Sequence, residues 1–282
     1  MIIASVTGKR GGAAVSEEYA QLSGVDVDKP NIARMYDYFL GGSAHFAVDR
    51  QAAEDLLQAF PGNTAWAHIN RAFLGRAVRE LTARGVDQFL DLGSGIPTKG
   101  NVHEIAQSVN PAARVAYVDV EPVAAHHARQ LLRGDSASTV TQADVRDPQQ
   151  VLAAPGVGEL LDFDRPVAVL AVAILDIIEV ADPAALVASY RDACAPGSAF
   201  VLSHSAQLQA SDTEWSGARE VFAATTTPHV QTRSRVEIAG LLAGYEVLEP
   251  GVVPSALWRP DREVSEQEAA RSNGYAAVGV LG

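Results

Sequence analysis

The chain is predicted to be an α/β protein, a mostly parallel sheet covered by helices on both faces, and three observations predict it. Apolar runs of strand length alternate with helical patterns along most of the sequence. The run 166–176 is apolar at successive positions up to its closing Asp176, as a strand buried on both faces requires. Finally, Gln88-Phe89-Leu90-Asp91-Leu92-Gly93-Ser94-Gly95 reads as a buried strand turning sharply on two glycines. Glycine there permits positive φ and leaves no Cβ between the backbone and a bound molecule.

The elements follow in order. Residues 1–28 are expected to form a loose arm, with glycines at 8, 11, 12 and 24 and few large apolar side chains to dock it. Helices over 32–40, 49–59 and 64–84 precede the first strand and make residues 29–84 a helical cap. In the last of them Trp66, Ile69, Phe73, Leu74, Ala77, Val78 and Leu81 recur at close to helical spacing, and Gly85 ends it. Residues 85–282 form the sheet domain. Its second strand is Arg114-Val115-Ala116-Tyr117-Val118-Asp119, and its third runs from Val140 and leaves through Asp144. The run 166–176 is the fourth and Phe200-Val201-Leu202-Ser203 the fifth. Two late strands, beginning at Tyr245 and Tyr275, bring the count to seven. Helices near 101–109, 123–132, 149–152, 183–195 and 233–242 separate them. There is no second glycine-rich half and no internal repeat.

Composition narrows the partners. The 282 residues include 22 basic and 34 acidic side chains, a formal charge of -12, which repels phosphate backbones and argues against nucleic acid. The longest apolar run, 167–175, is only of strand length, far short of the ~18 residues a membrane helix needs, so no membrane partner is expected. Lys9 and Arg10 follow a very short apolar piece, the wrong order for a secretion signal. Cys194 is the only cysteine, so no intramolecular disulfide can form, and a cytoplasmic location is expected. Its place before Pro196-Gly197 suggests a helix end packed inside. His126 and His127 are adjacent on a predicted helix, where side chains diverge by about 100°, and no metal is expected.

The strand tips carry the candidate ligand contacts. After Gly95 the dinucleotide pattern would place its third glycine at position 98, which is Thr98; the turn is closer to Asp-x-Gly-x-Gly. Asp119 ends the second strand where a carboxylate can accept from both hydroxyls of a ribose, although it could equally cap the helix that Pro122 opens. Asp144 could take the exocyclic amine of an adenine, or serve with Asp147 and Pro148 as a turn former.

Three segments together carry a resemblance. They are Lys29-Pro30-Asn31-Ile32-Ala33-Arg34-Met35-Tyr36-Asp37-Tyr38-Phe39-Leu40-Gly41-Gly42, then Asn70-Arg71-Ala72-Phe73-Leu74, and the glycine turn continued through Asn101-Val102-His103-Glu104. The chain resembles the class I S-adenosylmethionine-dependent methyltransferases, and within them the actinobacterial S-adenosyl methyltransferase family formerly catalogued as a domain of unknown function. The resemblance runs from about residue 29 to the C-terminus. It implies S-adenosyl-L-methionine as cofactor and a Rossmann-like seven-stranded sheet of order 3-2-1-4-5-7-6, its last strand antiparallel. The cofactor contacts expected on this reading are Asn31, Arg34, Tyr36, Asp37, Asp91, Gly93, Ser94, Gly95, Asn101, Asp119, Val120, Asp144, Val145 and Ile174.

Within the amino-terminal block, Arg34 or Asn31 would meet the methionine carboxylate and Asp37 its ammonium, while Tyr36 or Phe46 would shield the sulfonium; a capped helix with surface charge is the other reading. His204, just after the fifth strand, and His45, in the loop after the amino-terminal block, which is read as a lid over the methionine end of the cofactor, are the candidate catalytic bases, each open to a structural role instead. Trp215 and Trp258, in long connections, are candidate walls of an acceptor pocket. The expected function is methyl transfer to oxygen, nitrogen or carbon of a small-molecule or peptide acceptor, and a homodimer is compatible with it. Two other functions stay open: a non-catalytic S-adenosylmethionine-binding sensor or recruiting protein, and an NAD-dependent oxidoreductase, which the incomplete glycine triplet disfavours.

Overall fold

The structure, a computed structural model, describes Tyr19, residues 21–98 and residues 100–282. Five strands, β1 (Gln88–Leu92), β2 (Arg114–Asp119), β3 (Ser138–Gln142), β4 (Ala168–Val172) and β5 (Ala199–Ser205), pair in parallel in the order β3-β2-β1-β4-β5. β8 (Gly274–Val280) then lies antiparallel between β5 and the short β6 (Glu246–Val247). The sequence predicts seven strands; the structure adds an eighth, β7 (Val253–Pro254), which also pairs with β8. Two residues bounded by a proline are too short a pattern to read from sequence.

Alternation along each strand sends side chains to two separate cores. Leu90, Leu92, Val118, Val169, Phe200 and Leu202 meet Leu186, Tyr190, Ile238 and Leu241 on one face. Phe89, Val115, Tyr117, Leu170 and Val201 meet Phe73, Ala77, Val78, Leu81 and Ala106 on the other. The side chains of the first set come from helices α8 (Pro183–Arg191) and α10 (Arg235–Leu241), those of the second from α3 (Asn63–Ala83) and α4 (Val102–Val109). The helices α5 (Pro122–Leu131), α6 (Pro148–Ala153) and α7 (Pro155–Gly158) complete the crossovers, and α11 (Glu266–Ala270) precedes β8.

A third core belongs to a helical layer. Met35 and Phe39 of α1 (Ile32–Phe39), Ala53 and Leu56 of α2 (Ala47–Ala59) and Ala67 of α3 pack with Trp215 and Ala218 of α9 (Asp212–Ala223). The sequence reading has no helix over α9, yet its start is marked: Ser211 accepts from the Glu214 N–H at 3.3 Å while Glu214 accepts from the Ser211 N–H at 2.8 Å, a reciprocal cap. Most of the expected arm, residues 1–18 and 20, lies outside the described residues. Tyr19, Leu22 and Val25 are docked rather than loose, since Tyr19 packs with Phe46, Ile96 and Val123. Among the described residues no helix is long and apolar enough to cross a membrane.

Candidate active site

A cavity of about 460 Å³ opens between the C-terminal tips of the strands and the helical layer, within the range that suits small ligands. Its floor is the β1 turn, where Gly93 and Gly95 sit at φ +67° and +64°. The N–H groups of Gly93 and Ser94 donate to the Val118 carbonyl at 2.8 and 3.1 Å. The Gly95 N–H donates to Asp119 Oδ2 at 2.7 Å, and the Glu121 N–H to Asp119 Oδ1 at 2.9 Å. The turn is thereby latched to the tip of β2. A Cβ on Gly93 would lie 2.5 Å from Ile174 Cδ1, whereas one on Gly95 would meet nothing within 4 Å. Ala173 turns the chain at the end of β4 with φ +55°, a conformation alanine adopts at a cost, held by its N–H to Ser203 Oγ at 3.0 Å.

Electrostatically the cavity is acidic: six carboxyl groups line it against two guanidiniums, Arg71 and Arg146, and the second of these is paired with Asp144. Burial pushes the Asp91 carboxyl up to about 7, opposed by the charge of Arg71 and reinforced by that of Asp119. Asp119 is raised as well, by burial, against the backbone N–H groups it accepts from. Arg71 Nε is buried without a hydrogen-bond partner, and its guanidinium lies 5.9 Å from the centre of the Tyr36 ring. Tyr36 donates to the Ala67 carbonyl at 3.0 Å and accepts from Asn70 Nδ2 at 3.3 Å.

Eleven of the cofactor contacts expected from sequence line this cavity: Asn31, Tyr36, Asp91, Gly93, Ser94, Gly95, Asp119, Val120, Asp144, Val145 and Ile174. Two of them are engaged elsewhere: Asn31 Oδ1 accepts from the Ala33 N–H at 2.8 Å as a helix cap, and Asp144 is ion-paired with Arg146 at 2.5 Å. Three others are not on the cavity wall. Arg34, 1% exposed, pairs with Asp49 and Glu121 at 3.0 and 3.1 Å. Asp37 is filled by donors from Thr98 Oγ1 at 2.5 Å, the Ala44 N–H at 2.8 Å and His45 at 2.9 Å. Asn101 starts α4 in a cap with Glu104, which accepts its N–H at 3.0 Å.

Neither histidine expected as a base reaches the cavity wall. His45 is held by Asp37, and His204 lies between the Ser205 carbonyl, 2.8 Å from Nδ1, and Arg233, which meets Nε2. Trp258 is fully buried against Phe73 on the sheet face and is no pocket wall, whereas Trp215 lines the cavity. The site residues that sequence reasoning missed are Arg71 and Asn70, whereas Asp176, which the sequence offers with His45 and His204 as a residue facing the acceptor, does line the cavity. The signal for the first two was an Asn-Arg pair interrupting an otherwise apolar helix face, and for Asp176 an acid closing the most apolar run in the chain.

A parallel sheet with one antiparallel strand inserted beside the fifth, and a nucleoside-sized cavity over its glycine turn, define the class I S-adenosylmethionine-dependent methyltransferases. The chain belongs to the S-adenosyl methyltransferase family, whose model matches residues 18–282. It is accordingly an S-adenosylmethionine-dependent methyltransferase with S-adenosyl-L-methionine as cofactor. Among solved structures it is similar to a candidate methyltransferase of Thermobifida fusca YX, with TM-score 0.86 and 40% identity over 92% of this chain and 97% of that one. It is likewise similar to a DUF574 family protein of Streptomyces avermitilis MA-4680, with TM-score 0.86 and 32% identity over 91% of this chain and 99% of that one. No curated protein matches the chain.

Proposed function

We propose that the cavity takes the amino-acid end of S-adenosylmethionine between Arg71 and Asp91 and the nucleoside along Asp119, Val120, Asp144 and Val145. The methyl group then goes to a small or medium acceptor that enters from the helical layer. One observation carries this orientation: a guanidinium with an unbonded Nε lies near a buried carboxyl in one wall. Those opposite charges complement the carboxylate and ammonium of an α-amino acid. When bound, the cofactor supplies a methyl group on a sulfonium, a leaving group that needs no activation. The protein's own part is to bind, orient and exclude water, and the apolar cluster of the helical layer closes over the site for the last of these. The net charge of -12 and the single cysteine support a cytoplasmic enzyme whose acceptor is not nucleic acid.

Titration calorimetry tests the reading. S-adenosylmethionine and S-adenosylhomocysteine are expected to bind and NAD to give no heat. Arg71→Met is expected to weaken S-adenosylmethionine roughly 10- to 150-fold, as loss of a charge-assisted hydrogen bond of about 1.5–3 kcal/mol implies, with an unchanged circular dichroism spectrum. Tight NAD binding without response to the other two would sink the function. Undiminished affinity in the variant would remove the orientation.

A further inference from the structure

Unpartnered polar atoms concentrate at this cavity. Among the described residues five buried side-chain nitrogens and oxygens lack a hydrogen-bond partner, and the owners of three, Arg71, Asp176 and Trp215, line it. Arg71 is assigned above to the cofactor, which leaves the other two without a role.

Asp176 follows β4 and is 1% exposed. Ser205 occupies one carboxylate oxygen, its N–H and hydroxyl donating to Oδ2 at 3.2 and 2.5 Å. Oδ1 has no partner. Arg233 stands near enough to feel the charge of Asp176, but it donates to the Leu175 carbonyl at 3.1 Å and to His204 instead. A buried carboxylate oxygen left bare is costly, and such groups persist where a ligand completes them. The helical layer offers a matching surface, because Tyr36, Phe60, Trp66, Trp215 and Phe222 also line the cavity.

We propose that Asp176 Oδ1 receives an N–H of the methyl acceptor, and that the acceptor is an amine carried on an apolar body of aromatic size. This rests on the cofactor reading given above. An amine arrives as an ammonium ion, drawn to a cavity in which acids outnumber guanidiniums and to aromatic faces that attract cations; a neutral alcohol gains neither attraction. The ammonium gives one proton to the Asp176 carboxylate, which frees the nitrogen lone pair. That pair forms the new bond to the methyl carbon while the carbon–sulfur pair withdraws onto sulfur. The products are a neutral thioether and an N-methylammonium ion, and the proton on Asp176 returns to solvent.

Matched probes test this on protein saturated with S-adenosylhomocysteine: tryptamine against tryptophol, and 2-phenylethylamine against 2-phenylethanol. The native protein is expected to bind each amine at least about ten-fold more tightly than its alcohol, and with S-adenosylmethionine to convert tryptamine to its N-methyl product. Asp176→Asn keeps an oxygen for Ser205 but presents N–H groups at the open position. It is expected to retain S-adenosylhomocysteine affinity within about three-fold while losing the amine preference. Alcohols binding as well as amines to the native protein, which needs no variant, would overturn the proposal, as would a preference that survives in Asp176→Asn. Failure of the native protein to bind S-adenosylhomocysteine would overturn the cofactor reading itself and this inference with it.

Discussion

Binding of S-adenosylmethionine is expected to expel a proton from Asp91, in an amount set by pH. With its carboxyl pushed up to about 7, Asp91 holds ~0.9 of a proton at pH 6, ~0.5 at pH 7 and ~0.1 at pH 8. The charges acting on it are Arg71, which favours ionisation, and Asp119, which opposes it. A ligand ammonium set beside Asp91 adds a second favourable charge, so the carboxyl ionises and those fractions are released. Titration calorimetry in phosphate and in Tris, whose ionisation enthalpies differ, reads the release directly. Asp91→Asn is expected to abolish it and to weaken the cofactor. The free protein carries the same signature in its stability. The unfolded chain titrates near 3.8 and the folded one near 7, so between those values the folded state holds more protons and stability falls as pH rises. At about 1.4 kcal/mol for each tenfold ratio, the loss is on the order of 4 kcal/mol, and Asp91→Asn should flatten it. Proton release that is absent from the native protein, or that does not change between pH 6 and 8, would refute the placement of the ammonium.

Two further outcomes are expected. Gly93→Ala places a side chain at φ +67° and a Cβ 2.5 Å from Ile174 Cδ1; the backbone term is about 1–2 kcal/mol, and the displaced Ile174 should lower cofactor affinity at least ten-fold by calorimetry. Adding Ile174→Ala is expected to recover part of that loss, and strictly additive effects would show that the two side chains do not collide. Arg34→Met strands two buried carboxylates, Asp49 and Glu121. Breaking such a network costs about 3–5 kcal/mol, so differential scanning calorimetry should find Tm lower by roughly 6–20 °C. A drop under about 2 °C would mean that the network does not stabilise the cap.

The strands around the cavity were legible because one local feature specified each of them. β1, β2 and β4 are apolar on both faces and end on an acid or a glycine turn, and the acids at those tips, Asp91 and Asp119, line the cavity as a period-two pattern requires. The cap was harder, because which arginine faces the ligand depends on how helices cross. Arg34 and Arg71 both lie on helices of the same layer, yet Arg34 turns to Glu121 at the foot of α5 and Arg71 to Asp91. Spacing in the sequence carries no information on that choice. The two tryptophans divide in the same way: the sequence reads both as lying in long connections, yet Trp215 stands on α9 and lines the cavity while Trp258 packs under the sheet.

The cavity draws its two walls from separate parts of the molecule, the strand ends of the sheet and the helical layer. On the proposed reading, residues that meet the methyl donor stand on strand ends fixed by the sheet, where a shift of one position would disturb the whole ladder. Phe60 caps the end of α2, and Trp66, Trp215 and Phe222 stand on α3 and α9, packed together in the helical layer. On the same reading, exchanging those four side chains is expected to change which acceptor is taken while the strand-end contacts to the methyl donor stay in place.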